Sequence, residues 1–501
     1  MISPQYSHQK GRMADIVFKS AVELTRMIRE KEITSTELLD CYIQRYERLN
    51  PKLNAIITTA FDQARESAEK ADRATSIGEN WGLLHGLPMT IKDNIEVLGM
   101  PCSAGSKDLE HHQPLRNAPL VQKLVDAGAI IFGKTNLPTF GADFQTYNPL
   151  HGTTNNPWDM NRTPGGSSGG SAASVAAGLT AVEIGNDIGG SIRHPANFCG
   201  IYGHKSTFGI VPHHGTLPPI PGLFNGDYGI NTDIVVNGPL ARSAEDLQLM
   251  MDLIVGPEIP DRKAWKIQLP PARKKALKDY KIGLWLDDPI CPVDSAVGDC
   301  LQNAVDALAE AGVTIEDKRP DVGFEESYRI FIQLLNAVMG AGAEPEVFQR
   351  WLDREPQLSP DDTQYQSLQT QGAIQRHRDW LLADSRRQLL REKWADFFQE
   401  FDALLCPATC VVAIPHDHSA WFKRTLTINE REEPYTNVMG WAGLSNVVFL
   451  PSTIAPVGLT PQNLPVGIQI VAPYLEDRTS IHIAQLMTDI CGGFIPPPDF
   501  S

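Results

Sequence analysis

The stretch Gly185-Asn186-Asp187-Ile188-Gly189-Gly190-Ser191-Ile192-Arg193 leaves a short apolar strand at residues 181–184 and turns at once into glycine. Glycine pairs let a backbone approach a bound molecule closely and aim several N–H groups the same way, as a developing oxyanion requires. Ser191 closes that turn. A serine hydroxyl is a poor nucleophile at neutral pH, so a base has to lie beside it, and the chain offers histidines, carboxylates and lysines for that role.

Two more segments share this character. Gly165-Gly166-Ser167-Ser168-Gly169-Gly170 opens a helix-like, alanine-rich piece at residues 171–178, and Gly86-Leu87-Pro88-Met89-Thr90-Ile91-Lys92-Asp93-Asn94 ends a short strand on a lysine. Three chemistries compete for them. Gly165-x-Ser167-x-Gly169 satisfies the nucleophile-elbow pattern of α/β-hydrolases, but residues 156–164 read as a loop where that elbow needs a buried strand. His194 and His204 also fall in local turns, not at the far C-terminal place that triad expects. A phosphate loop fails because the Gly-Lys-Ser/Thr ending is missing and no Gly-x-Gly-x-x-Gly follows a strand. The third arrangement uses all three segments together.

In order, the lysine, Gly-Gly-Ser-Ser-Gly-Gly and Asp-Ile-Gly-Gly-Ser-Ile-Arg, with Ser167 and Ser191 24 positions apart (191 − 167), resemble the amidase-signature family. The likeness runs on through Gly133-Lys134-Thr135-Asn136, Asn155-Asn156-Pro157-Trp158, residues 195–200 and Leu464-Pro465-Val466-Gly467-Ile468-Gln469, covering roughly residues 20–491. It implies an α/β amidase-signature fold, a central twisted mixed β-sheet sandwiched between layers of α-helices. It also implies amide hydrolysis through an acyl-enzyme on Ser191, with carbamates and esters as neighbouring substrate classes. Ser167, after a cis peptide bond, is then the middle serine and Lys92 the base. The N–H groups of Ile188, Gly189, Gly190 and Ser191 form the oxyanion hole, and Ser168, Asp187 and Arg193 support the loop. No metal and no organic cofactor is called for. An ammonium accepts no proton, so burial has to bring Lys92 well below its usual value of about 10.4.

The resemblance assigns the acyl pocket to residues 137–147, with Phe140, Gly141 and Phe144 as substrate contacts, and to the variable second half. Tyr147, Tyr328, Phe331, Trp351, Trp421 and Trp441 add aromatic surface there, so an apolar or aromatic acyl group is expected. Two departures stand out. Glu183 occupies a place where the family has a small residue; it is read as a solvent-facing strand residue, because a buried carboxylate would demand a partner. His204 is read as a hydrogen-bonded structural residue. Two rival functions use the same motifs: the glutaminase A-subunit of a tRNA-dependent amidotransferase, and a catalytically silent carrier or scaffold. Residues 401–410 lack the Thr-Pro-Thr run expected of the first, and the intact catalytic positions speak against the second.

The 501 residues divide as an N-terminal extension (1–18) and one domain (19–495), with a helical part (19–85), a catalytic core (86–210), a variable substrate-pocket region (211–460) and a closing strand and helix (461–495). Ser20 with Glu23 and Thr34 with Glu37 have capping-box spacing, and Pro51 is expected to end the second helix. Helices are expected at 119–127, 244–254 (cap Ser243), 296–311 (cap Ser295) and 373–398, strands at 129–132, 281–284 and 313–316, and a surface excursion at 256–278. A net charge of −16 without a basic block disfavours nucleic acid as a partner. No apolar run is long enough for a membrane span, and the polar first eleven residues lack a secretory signal, so a cytoplasmic enzyme is expected. The partner expected is a small-molecule amide, with a homodimer as the common assembly. The eight cysteines are read as free thiols.

Overall fold

Ser20 accepts from the N–H of Glu23 at the start of α1 (Ala21–Arg29), and Thr34 with Glu37 forms a complete capping box on α2 (Ser35–Leu53). Pro51 does not end α2, as expected from sequence; the helix runs through it to Leu53 and stops at Asn54 in the left-handed conformation. This computed structural model describes residues 16–217, 232–359, 362 and 364–500. Most of the expected N-terminal extension, and residues 218–231 of the variable region, lie outside the described residues.

A three-stranded sheet is built from β1 (Ile56–Thr59), β2 (Pro88–Lys92) and β3 (Ile130–Thr135), in the order β1-β3-β2. Its β2–β3 pair is parallel and its β1–β3 pair antiparallel. Helix α3 (Phe61–Ser76) packs on it and α4 (Pro119–Asp126) delivers the chain into β3. The eight-stranded sheet comprises β4 (Val182–Asp187), β5 (Tyr202–Lys205), β6 (Val236–Ala241), β7 (Lys281–Leu284), β8 (Thr314–Glu316), β9 (Ala403–Pro407), β10 (Ser452–Leu459) and β11 (Pro465–Val471). Its order is β8-β7-β9-β11-β10-β5-β6-β4. Only β7–β8 and β7–β9 are parallel. The mixed sheet expected from sequence is therefore present, with the lysine-bearing β2 in a separate small sheet that lies against the edge strand β4.

Between these sheets runs α5 (Gly169–Ala176), every residue of which is buried. Apart from Val175 its residues are Gly, Ser and Ala, which let the helix axis come close to both sheets, where longer side chains would hold it off. Helix α6 (Arg193–Cys199) follows Ser191 and packs on β11. On the far side α7 (Ala244–Ile254, capped by Ser243), α8 (Ser295–Glu310) and α14 (Asp477–Cys491) cover the large sheet. The cap of α8 is Asp294, not Ser295, because the Asp294 carboxylate accepts from Ala296 N–H at 3.1 Å.

A helical layer over the catalytic edge was not foreseen: α9 (Phe324–Ala341), α10 (Pro345–Arg354) and α11 (Tyr365–Ala373). The long helix expected at 373–398 is present as α12 (His377–Glu400), starting four residues later than expected, because Ala373 is the last residue of α11. The last helix of that layer, α13 (Gly440–Val447), packs on α9 and carries the residues that reach back to Arg193.

Candidate active site

Three chain segments meet where β2, the turn before α5 and the turn after β4 come together. Lys92 is the last residue of β2 and is fully buried. Its Nζ donates to Ser167 Oγ at 2.7 Å, Ser168 Oγ at 2.9 Å and Asn186 Oδ1 at 2.6 Å. All three acceptors are neutral. Asp93, its sequence neighbour, turns instead to Ser103, whose N–H and hydroxyl donate to it at 3.0 and 2.6 Å. Burial pushes the Lys92 amine down to about 7, against the raising effect of the Asp187 and Glu183 charges.

Ser167 follows a cis peptide bond from Gly166. At Gly166 a Cβ would sit 2.5 Å from Asp143 O and 2.7 Å from Phe144 C, so only glycine lets the serine turn lie against the pocket segment. Ser168 N–H donates to Ser191 O at 3.0 Å, tying the two glycine turns together. Ser191 is 5% exposed and lines a cavity of about 830 Å³.

Asp187 organises the turn around Ser191. Its carboxylate accepts from Gly190 N–H (2.8 Å), Ile192 N–H (3.0 Å) and Arg193 Nε and Nη2 (3.0 and 2.9 Å). Burial alone would raise its pKa, but the guanidinium and the two N–H groups outweigh it and hold the carboxyl well below the usual range. Arg193 spends its other N–H groups on Ala442 O, Ser445 Oγ and Asn446 Oδ1 of α13 and on Gln469 Oε1 of β11. The bidentate fork is what guanidinium geometry supplies and an ammonium does not.

One sequence expectation is corrected here. Gly190 N–H is committed to Asp187 and is not free for an oxyanion. The N–H groups of Ile188, Gly189 and Ser191 donate to no described residue, and all three residues line the cavity. A second correction concerns the pocket. Gly141 and Phe144 line the cavity, with Tyr147, Trp351 and Trp421, but Phe140 does not; its backbone is left-handed at φ 54° and its N–H donates to Ala104 O. Tyr328, Phe331 and Trp441 are likewise outside the lining, Trp441 being packed edge-on against Trp285 and Phe324 in the core.

A third correction is Glu183. It is fully buried, not solvent-facing, on a strand whose six residues are all buried. His204 is hydrogen-bonded to Thr453 Oγ1 at 2.9 Å and Asp477 Oδ1 at 3.0 Å, the structural role expected. Asn186 was missed: its Nδ2 donates to Asn94 Oδ1 at 2.9 Å, which fixes its oxygen toward Lys92. Its place one residue before Asp187 was the available signal.

The family model described as Amidase matches residues 37–481, and the chain belongs to this amidase-signature family. The glutamyl-tRNA(Gln) amidotransferase A-subunit of Thermosynechococcus vestitus is 30% identical over 481 residues, 92% of this chain and 96% of that protein. The protein of the same name from Bdellovibrio bacteriovorus is 31% identical over 493 residues, 94% of this chain and 96% of its own. A solved structure from a vestigial protein complex that reveals the origins of an s-triazine catabolic enzyme superposes with a TM-score of 0.78 at 26% identity, covering 95% of this chain and all of that one. Amide C–N cleavage is the chemistry of this family.

Proposed function

We propose that the chain is an amidase that hydrolyses a carboxylic amide through an acyl-enzyme on Ser191, with Ser167 as proton shuttle and Lys92 as base. The observation that carries this is the Lys92 amine, buried with only neutral oxygens as partners. A neutral amine has two N–H groups and one lone pair. Asn186 Oδ1 can only accept, so one N–H stays on it, while a hydroxyl can reverse and donate to the lone pair. Ser167 then passes its proton to Lys92 and takes one from Ser191 as Ser191 Oγ bonds to the carbonyl carbon. The carbonyl electrons move onto the oxygen, where the Ile188, Gly189 and Ser191 N–H groups receive it; Gly190, tethered to Asp187, holds the turn's shape. Return of the proton along the same path protonates the leaving nitrogen as the C–N bond breaks, and water repeats the sequence on the ester.

The cavity supplies the acyl-group preference. Phe144 lies at 5.2 Å from Trp421 and 5.5 Å from Tyr435 between ring centroids, and Leu335, Met339 and Met439 add apolar surface. An aryl or bulky apolar acyl group fits this wall. A glutamine-hydrolysing component of an amidotransferase is the second reading, favoured by the names of the relatives; it would bring partner chains, where the amidase reading expects a homodimer. The cytoplasm is the proposed location; no helix among the described residues is long and apolar enough to cross a membrane.

The test is a panel of aryl amides, short amides, carbamates, nitrophenyl esters and glutamine on wild type and Ser191→Ala. Aryl amide turnover that Ser191→Ala loses, on the order of 10⁶-fold as for other serine nucleophiles, supports the reading. Glutamine as the preferred substrate favours the second one. No turnover together with no fluorophosphonate labelling of folded protein overturns both.

A further inference from the structure

Glu183 is a fully buried carboxyl beside this site that the mechanism leaves unused and that has no ion-pair partner among the described residues. Both its oxygens are buried without a hydrogen bond of ordinary geometry, although the hydroxyls of Thr90, Thr135 and Ser171 stand around it. Its position relative to Lys92 follows from the elements. Thr90 and Lys92 share a face of β2, two residues or about 7 Å apart along the strand. Ser168 and Ser171 are one turn apart on α5 and its lead-in. Glu183 and Gly185 share a face of β4, and at Gly185 a Cβ would meet Ser168 Oγ at 2.6 Å. The carboxyl therefore occupies the layer of Thr90 and Ser171, directly beneath the layer of Lys92 and Ser168.

Little else in the surroundings can balance its charge. On β4, Asp187 is neutralised by Arg193. From β3, Lys134 turns to the Asp93 and Ile95 carbonyls and the Asp93 carboxylate. Opposite on β6 stands Leu240, and the next cation along, Arg242, is committed to the Val175 and Thr180 carbonyls. From α5 come only hydroxyls. A buried carboxylate without a partner is strongly disfavoured, so either Glu183 carries a proton or Lys92 does.

Building on the amidase reading, we propose that Glu183 and Lys92 hold one proton between them, which makes Glu183 a positioning residue that sets the pH at which Lys92 can act as base. In one form the carboxylate faces the ammonium; in the other the proton has left nitrogen for the carboxyl oxygen, through the intervening hydroxyls, leaving a neutral acid and a neutral amine. No charge or electron is gained or lost. Such a pair titrates as a unit. Burial pushes the carboxyl up to about 7, into the range where the amine also titrates.

Where the carboxyl is ionised it favours the ammonium form, so Glu183→Gln moves the midpoint of the kcat/KM limb to lower pH by about one unit, while well below that midpoint, with the wild-type carboxyl protonated, the two profiles converge. Glu183→Asp, which keeps the carboxyl, retains the wild-type limb. Infrared difference spectra on Ser191→Ala follow the buried carboxylic acid without turnover. Adding Lys92→Met removes its cation and moves its titration upward in pH. A limb that stays or rises in folded Glu183→Gln, or a carboxyl band indifferent to Lys92→Met, overturns the proposal. The infrared result stands even if Ser191 cleaves no amide, and the Ser191 result stands even if the limb does not move, so the two readings fail separately.

Discussion

The sharpest consequence of the buried amine is its pH dependence. With Lys92 at about 7, nine molecules in ten carry a neutral amine at pH 8 and about one in a hundred at pH 5. The neutral form is the competent one, so kcat/KM rises with pH through about 7 and flattens above it, falling about 100-fold between the plateau and pH 5. At its ordinary 10.5 the same amine would be about 0.3% neutral at pH 8 and the rate would still climb tenfold per unit past pH 9. The assay is the initial rate of an uncharged aryl amide under kcat/KM conditions from pH 5 to 10, with Lys92→Met alongside. That variant loses about 10²- to 10⁴-fold and, with it, the limb. A flat wild-type profile, or a limb that persists in Lys92→Met, refutes Lys92 as the base.

Arg193→Met strands the buried Asp187 carboxylate and destabilises the protein by about 3–5 kcal/mol, read by urea denaturation. Asp187 has a folded pKa below its unfolded one, so its contribution is complete above the unfolded value and fades as pH falls; wild type therefore loses stability on acidification more steeply than Arg193→Met. Gly190→Ala drives a Cβ to 2.1 Å from the His194 ring at φ 103°, and calorimetry should show a lowered Tm together with a loss of kcat. Trp421→Ala opens the aromatic wall and raises KM for aryl amides by about tenfold or more while leaving short amides nearly unchanged. Equal losses on both substrate types would detach Trp421 from acyl recognition.

The parts of this site that could be read in the sequence are those in which the local chain does the work. Gly-Gly-Ser turns declare themselves because few other residues fit them, and Ser167, Ser191, Asp187 and Arg193 all lie in or beside such turns, while Lys92 was legible as the lysine that ends a short strand in the same motif order. Ser445, Asn446 and Gln469 complete the same site by tertiary approach, from α13 and β11, and nothing in their own neighbourhoods marks them; Asn186 lies inside the Ser191 motif, but its role toward Lys92 is set by tertiary approach. Glu183 was misread for a related reason. A strand covered on both faces has no alternation to reveal which way a residue points, and Val182 to Asp187 are buried throughout. Pro51 misled because the break it makes is local: its missing N–H leaves one carbonyl of the preceding turn without its helical partner, and only two more residues follow before the helix ends at Leu53. Helices α9 to α11 were not foreseen, although they supply much of the cavity wall, and with them went the distinction between wall aromatics such as Trp351 and core aromatics such as Trp441.

The distribution of charge explains why a lysine can serve as base here at all. An anion hydrogen-bonded to the Lys92 amine would hold it as ammonium, and Asp187 stands on the strand that brings Asn186 to it. Arg193 prevents that outcome. By taking both Asp187 oxygens, it fixes the carboxylate toward the Ser191 turn and leaves Lys92 with hydroxyls and an amide oxygen. The same ion pair therefore does two jobs: it shapes the turn that carries the nucleophile, and it keeps the Asp187 carboxylate off the amine, so that its charge raises the Lys92 pKa only from a distance and burial outweighs it. The neutral partners of Lys92 belong to that second job, since each can hold the amine in place without favouring its charged form.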